Sequence, residues 1–352
     1  MAPLDWGLGH ATRCIPIIFN LIEQQCEVFI AAEGAGKSLL QQEFPQLTFV
    51  PLAGYRIQYS NNGKQMPLKL LLQFPKLLYR VYAERKWLKK IVAEYSIDAV
   101  ISDNRLGLSH KKIPCVYITH QLLIKTGSGF TEQIAQKIHY HFINRYKYCW
   151  VPDAAGKVNL AGELSHPDKL PATPLIYIGP LSRFEKYTTD ISYDLCIILS
   201  GPEPQRSVFE KMIMKELETF NGRVFLVRGQ PGNTSANRST NTTLEIVDHL
   251  QADELNKVIL RSQMIISRSG YSTIMDLAKL QKPAILIPTP GQTEQEYLAL
   301  ALSNQKLFYT VPQDKFSLQT ALQGATEFEF KPFPFPAGDH DGVIENFLRE
   351  LG

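Results

Sequence analysis

The chain has 352 residues, a length that favours two domains over one. Its 44% apolar and 20% charged residues exclude a disordered chain, and 22 Gly with 22 Pro are too few for a collagen-like or low-complexity protein. The net charge of +3 is small and no reader motif is present, which argues against nucleic acid as a partner; five scattered Cys without a C-x-x-C pair argue against a zinc cluster or disulfide framework.

The turn Asp5-Trp6-Gly7-Leu8-Gly9-His10 arrives after only four residues, so the first strand reads as truncated, or the true start as lying upstream. The apolar runs 28–32, 99–102 and 115–119 read as buried parallel strands, and 175–178 is strand-like. Further on, 195–200, 224–228, 264–267, 283–288 and 307–311 read the same way. Apolar spacing of three and four marks helices at 15–22, 207–220, 271–280 and 297–304, with a last one at 341–351. This alternation predicts an α/β protein with parallel sheets. A polar linker is expected around 179–189, a Gly/Asn/Ser/Thr-rich loop at 229–243 and a Pro-braced connection at 329–340. The expected domains are therefore residues 1–180 and 190–352, the last helix packing back on the first domain.

Charge is uneven: residues 1–180 carry +7, residues 181–352 carry −4, and 51–150 alone carry +11. Much of the excess lies in 67–95, where Lys69, Lys76, Arg80, Arg85, Lys86, Lys89 and Lys90 alternate with Leu, Phe, Tyr and Trp87. That segment reads either as a pair of helices with a core face and a solvated Lys face, or as a surface for an anionic membrane. Scattered cysteines, no 18-residue apolar run and no basic-flanked leader lead to a cytoplasmic location as the expectation, with membrane association through this segment.

Three Gly-containing turns stand between a strand and a helix. The first is Gly7-Leu8-Gly9-His10-Ala11-Thr12-Arg13. Its glycines allow a sharp turn and close approach of a ligand, and the helix N-terminus behind it offers free N–H groups; a plain capped turn is the alternative. The second, Ser267-Arg268-Ser269-Gly270-Tyr271-Ser272-Thr273-Ile274-Met275-Asp276, sets small polar residues at a helix start suited to phosphate, with Asp276 one turn further in. The third, Pro288-Thr289-Pro290-Gly291-Gln292-Thr293-Glu294-Gln295-Glu296-Tyr297, follows the next strand and lies at the same carboxyl edge. Its Gln and Glu side chains suit sugar hydroxyls, or simply complement a helix N-terminus.

The second and third motifs, in this order, resemble the donor-binding region of family 28 glycosyltransferases, in the branch that includes peptidoglycan N-acetylglucosaminyltransferases. The first motif is similar to that family's N-terminal loop, and nearer still to a group of uncharacterised bacterial members sharing residues 5–13. The resemblance implies the GT-B fold: two Rossmann-like domains facing across a cleft, acceptor on the N-terminal side and nucleotide-sugar donor on the C-terminal side. It implies a hexosyltransferase moving a sugar from a UDP-sugar to an acceptor, inverting, without a metal or other cofactor. The acceptor is unknown, with a lipid-linked or cell-envelope glycan as the expectation. The resemblance places Gly7, Gly9, Ser269, Gly270 and the backbone at Tyr271, Ser272 and Thr273 around the donor and its diphosphate. Asp276 stands where the family has a ribose-binding Glu, Gln295 where a Gln reads the donor sugar, and Glu296 where the peptidoglycan enzyme has a second Gln. Val247 matches the segment whose backbone meets uracil. Gly201 and Arg206 belong to the first Gly-rich loop of the second domain, and Arg206 with Arg228 adds cationic side chains for phosphate.

A base must take the acceptor's proton. His10 is the candidate, because an imidazole titrates near neutrality, and Asp103, ending the strand 99–102, is its candidate partner. His120 reads as a cleft-edge contact. Gly34-Ala35-Gly36-Lys37-Ser38 resembles the end of a phosphate-binding loop but lacks its first Gly. Two alternatives remain at this level: a UDP-sugar epimerase or hydrolase on the same fold, and a non-catalytic nucleotide-sugar-binding protein.

Overall fold

The computed structural model describes residues 1–55, 66–201, 203–230, 243–334 and 340–351. Most of the 229–243 loop and part of the 329–340 connection lie outside the described residues.

Two parallel sheets organise the chain. The first has the order β1-β4-β5-β6-β7, built from Ala2–Pro3, Val100–Asp103, Cys115–Ile118, Tyr148–Val151 and Leu175–Tyr177. Beyond β1 lies the pair β2 (Phe29–Ala32) and β3 (Thr48–Pro51), joined to it by the Ala31 N–H donating to the Met1 carbonyl. The chain leaves β1 on one side for β2 and returns on the other for β4, so the strand order reverses between β1 and β4. The second sheet has the order β10-β9-β8-β11-β12-β13. Its strands are Tyr193–Ile198 (β8), Val224–Val227 (β9), Leu244–Val247 (β10), Ser262–Ser267 (β11), Ala284–Leu286 (β12) and Tyr309–Thr310 (β13). Here the reversal falls between β8 and β11. Open parallel sheets bind ligands at such reversals, outside the carboxyl ends of the strands.

The helices follow from apolar spacing. Helix α1 (Leu8–Glu23) buries Ala11, Cys14, Ile15, Ile17, Ile18 and Leu21 on one face. That stripe packs on the first sheet, on α2 (Gly34–Glu43) and on α7 (Tyr271–Leu280) of the second half. Helix α10 (His340–Arg349) returns to this core: Phe347 meets Trp150 edge-on at 5.6 Å, and Asn20 donates to Asp341 at 2.7 Å. Between β7 and β8 no regular element intervenes, and residues 178–192 run as the connection between the sheets.

The segment 67–95 differs from expectation. It is one helix, α3 (Met66–Glu94), with Pro75 inside, rather than a pair. Proline removes one N–H but does not force a stop when packing holds the helix on. Here Val81, Glu84 and Leu88 anchor one face, and Glu84 receives Arg105 at 2.7 Å. Strands β3, β6 and β10 and helices α2, α4 (Gly129–Ile143), α6 (Ala252–Leu260) and α9 (Leu318–Glu327) have no counterpart in the sequence reading. β3 is half exposed and, among the described residues, pairs only with β2, and β6 reads Tyr-Cys-Trp-Val, without the aliphatic run that marks a buried strand. Gly34–Ser38 forms the opening turn of α2, where Gly36 lies against Ala11 of α1; its small size serves helix packing.

Candidate functional site

Both strand-order reversals open on the same place. Past β1, Gly7 caps α1 with φ of 87°, a conformation that a side chain disfavours. The turn puts His10 and Arg13, three residues apart, on one face of α1 beside the end of β4. There His10 Nδ1 lies 3.0 Å from Asp103 Oδ2. The Arg13 Nε donates to both Asp103 oxygens at 3.0 Å, and its Nη2 also donates to Oδ1. Asp103 and Arg13 are buried. Burial alone would push the Asp103 carboxyl up, but the Arg13 guanidinium and His10 outweigh it and hold it below the usual range. The carboxylate is therefore ionised at neutral pH.

The second half meets this cluster through two helix N-termini. In α7, Tyr271 stacks on His120 with ring centroids 4.0 Å apart and planes 9° apart, and its hydroxyl donates to the Pro152 carbonyl at 2.8 Å. Ser272 Oγ donates to the Gly9 carbonyl at 2.8 Å. In α8 (Thr293–Asn304), Glu294 Oε1 lies 2.7 Å from His120 Nε2, and Thr293 Oγ1 donates to the Lys125 carbonyl. Burial would raise the Glu294 carboxyl, but His120, His10 and Arg13 hold it below the ordinary range. His10, Arg13, Asp103, His120 and Glu294 thus form one polar cluster across the two halves.

The sequence-expected donor residues fall into two groups. Gly7, Gly9, Gly270, Tyr271, Ser272 and Thr273 line the turns beside the cluster. A Cβ built on Gly270 meets nothing within 4 Å, so the space before the α7 N-terminus is open. Gly201, with φ of 100°, shares that property on the β8–α5 loop before α5 (Gln205–Leu217).

The other group is engaged with protein. Arg206 is buried and paired with Glu203 at 2.6 Å and Glu210 at 2.7 Å. Arg228 pairs with Glu210 at 2.8 Å and Asp248 at 3.3 Å. Both charges are thus compensated by carboxylates. Val247 ends β10, its carbonyl accepting the Arg228 N–H. Ser269 Oγ donates to the Gln295 carbonyl at 2.9 Å. Gln295 is buried: its Oε1 accepts the Thr289 N–H and its Nε2 donates to Gln292, so it braces the third motif's loop. Glu296 accepts the Gly291 N–H at 2.8 Å from an exposed position.

Asp276 accepts from Ser182 Oγ at 2.7 Å and from the Arg183 backbone, both on the connection between the sheets. Burial pushes its carboxyl up to about 6, against the pull of Arg183 and Ser182. Between the ordinary aspartate value of 3.8 and about 6, the unfolded chain is ionised there while the folded one is protonated. Stability contributed by this group is therefore full below pH 4 and falls as pH rises to 6. The substitution Asp276→Asn keeps an acceptor oxygen without the charge. Urea unfolding of Asp276→Asn should show the variant gaining about 1–2 kcal/mol on the wild type between pH 4 and pH 7, after allowance for partial solvation. An equal difference at both pH values would refute the assignment.

Two residues here, Arg13 and Arg268, had no assigned role in the sequence, and Glu294 was read only as a sugar-hydroxyl contact or a complement to a helix N-terminus. Arg13 stands in the first motif, three residues after His10, a helical spacing that marks a shared face. Glu294 is beside Gln295 in the third motif. Arg268 is buried and joins the three loops of the second sheet, donating to the carbonyls of Ile287, Pro288 and Gln205 while its guanidinium lies 4.1 Å over the Phe209 ring.

Residues 205–335 match the family described as glycosyltransferase family 28 C-terminal domain. An uncharacterised glycosyltransferase of Methanosarcina acetivorans is 24% identical over 343 residues, covering 88% of this chain and 85% of that protein. The UDP-N-acetylglucosamine--N-acetylmuramyl-(pentapeptide) pyrophosphoryl-undecaprenol N-acetylglucosamine transferase of Natranaerobius thermophilus is 23% identical over 337 residues, covering 90% and 86%. The solved spinosyn rhamnosyltransferase SpnG superposes with a TM-score of 0.66 at 13% identity, over 99% of this chain and 98% of that one. The chain has the GT-B fold and is related to family 28 glycosyltransferases. Its two Rossmann-like halves, each with a central parallel sheet, are those of that fold.

Proposed function

We propose that this chain transfers a sugar from a UDP-sugar to an acceptor hydroxyl, with inversion and without a metal. The observation that carries the reading is the meeting of the His10–Asp103 pair with the N-termini of α7 and α8 at one point of the cleft. Helix N-termini present free N–H groups and a positive dipole end, the chemistry that stabilises a departing nucleoside diphosphate. His10, oriented by an ionised Asp103, faces that point as the base for the incoming hydroxyl. The open space before Gly270 suits the diphosphate, and Asp276, one turn along the same helix, suits a ribose hydroxyl once it is released from Ser182. The match to a UDP-N-acetylglucosamine-dependent transferase over 90% of the chain supports the donor class.

Calorimetric titration with UDP, GDP and dTDP tests the donor. UDP should bind most tightly. Gly270→Val, whose side chain meets no protein atom at its Cβ but fills the space before α7, should weaken UDP at least about tenfold with little change in melting temperature. No affinity for any of the three nucleotides would remove the reading.

The acceptor side carries a second proposal, a lipid-linked acceptor reached at an anionic membrane surface. α3 and α4 pack together through Leu77, Val81, Ile138 and Phe142. Their outer faces expose Leu78, Tyr79, Tyr82, Phe130 and Ile134, with Lys76, Lys86, Lys89 and Lys90 along α3. Apolar side chains ringed by lysines suit an interface with acidic lipid. No helix among the described residues is long and apolar enough to cross a membrane. The protein should sediment with vesicles of acidic phospholipid at low salt and come off as salt rises, and Tyr79→Ser/Tyr82→Ser/Phe130→Ser should bind several-fold more weakly. Absence of binding at low salt discards this surface.

A further inference from the structure

We propose that Arg13 is a positioning residue that fixes His120 as a neutral donor through Nε2–H and thereby leaves His10, of the two imidazoles in this cluster, as the one able to take the acceptor's proton.

The argument rests on what a guanidinium can and cannot do. All its polar hydrogens are donors and it accepts nothing. Arg13 Nη1 lies 3.1 Å from His120 Nδ1. That nitrogen must therefore carry a lone pair, and the proton of neutral His120 is on Nε2. Nε2 is 2.7 Å from Glu294 Oε1, an acceptor when ionised. The ring is held in this orientation: its face is stacked on Tyr271, and a half-turn would set two carbon atoms against Arg13 and Glu294. A second proton on Nδ1 would have to point at the guanidinium. His120 is thus a fixed hydrogen-bond donor that carries Glu294 across the cleft, and it is spent as a base.

Arg13 itself cannot leave. It is buried, and Asp103 receives its Nε and Nη2. At His10 the competition is different. Arg13 Nη2 approaches Nδ1 at 2.8 Å, but Asp103 Oδ2 is also within reach at 3.0 Å. His10 therefore has an acceptor for an Nδ1 proton, which frees its Nε2 lone pair; His120 has none. One cation sorts two imidazoles into a donor and a base. The groups facing His120 are Arg13 and His10 on α1, Tyr271 on α7 and Glu294 on α8. Burial is the largest influence on its protonation and favours the neutral ring, in opposition to Glu294.

This inference deepens the reading of His10 as base, but its test needs neither substrate nor turnover, so the two can fail separately. Two-bond proton–nitrogen correlation spectra of protein labelled with 15N-histidine report the tautomer of each ring, His120 being assigned by its loss in His120→Asn. In the wild type His120 should give the neutral Nε2–H pattern throughout pH 5.5–8. In Arg13→Met its titration should move up by about one pH unit or more, bringing imidazolium signals into that range. Arg13→Lys, which keeps a cation beside Nδ1, should restore the neutral pattern at least in part. An Nδ1–H pattern or an imidazolium in the wild type at pH 7 would overturn the proposal, as would an unchanged His120 titration in Arg13→Met. The wild-type spectrum decides the tautomer even if Arg13→Met does not fold.

Discussion

His10→Ala should lower turnover by about 10²–10⁴-fold while UDP affinity changes by less than about threefold. The asymmetry follows from the geometry. His10 lies against Asp103 and Arg13 on the N-terminal side, whereas the free N–H groups and open space suited to a diphosphate belong to α7. A general base acts on the acceptor's proton in the transition state and contributes little to ground-state donor binding. Steady-state kinetics with the donor identified by calorimetry, together with UDP titration of the variant, separate the two quantities. Equal losses in turnover and affinity would sink the assignment of His10 as base.

Asp103→Leu should be the most damaging single change for the fold of the N-terminal half, at about 3–5 kcal/mol by urea unfolding. The carboxylate is buried and accepts from Arg13 and His10, so its loss strands a buried guanidinium without its hydrogen-bonded counter-charge. The test is a double-mutant cycle. Arg13→Met/Asp103→Leu should be more stable than Asp103→Leu alone, because removing both charges also removes the cost of burying an unpaired one. If the double variant is as unstable as the sum of the singles, the two residues are not coupled. The pH dependence has a definite sign. The folded carboxyl is held below the ordinary aspartate value of 3.8, so its contribution is present above that value and is lost as pH falls through the lower one. The wild type should therefore lose stability toward acid more steeply than Asp103→Leu.

Much of the second half was legible along the chain. Helix α7 begins and ends where apolar spacing puts it, at Tyr271 and Leu280, and β8, β9, β11 and β12 fall on the expected aliphatic runs. Buried parallel strands announce themselves because both faces are covered, which demands a continuous apolar run. Where that demand relaxes, the signal fades. β3 is half exposed, and α3 runs through Pro75 because its packed face, which the linear pattern does not display, holds it together.

The candidate site residues divide in the same way. Gly7, Gly270 and the small polar residues around them were legible because a strand-to-helix turn that exposes backbone N–H groups has local requirements: small size, or φ in the positive region as at Gly7. Arg206, Arg228 and Gln295 look identical in sequence whether they face a ligand or a neighbouring side chain. Folding gave the two arginines to Glu203, Glu210 and Asp248, and turned Gln295 into its own loop.

The sequence by itself therefore determined the α/β class and the positions of three strand-to-helix turns, since each depends on periodicity or backbone conformation over a few residues, and it offered His10 as candidate base from side-chain chemistry alone. Only the tertiary structure decided which side chains share a proton. His10, Arg13, Asp103, His120 and Glu294 come from four separate segments and meet because strand order reverses at β1/β4 in one sheet and at β8/β11 in the other, with both reversals turned toward this one cluster. Hydrogen-bond partnership depends on distances of about 3 Å between residues far apart in the chain, and pattern along the chain carries no record of such distances.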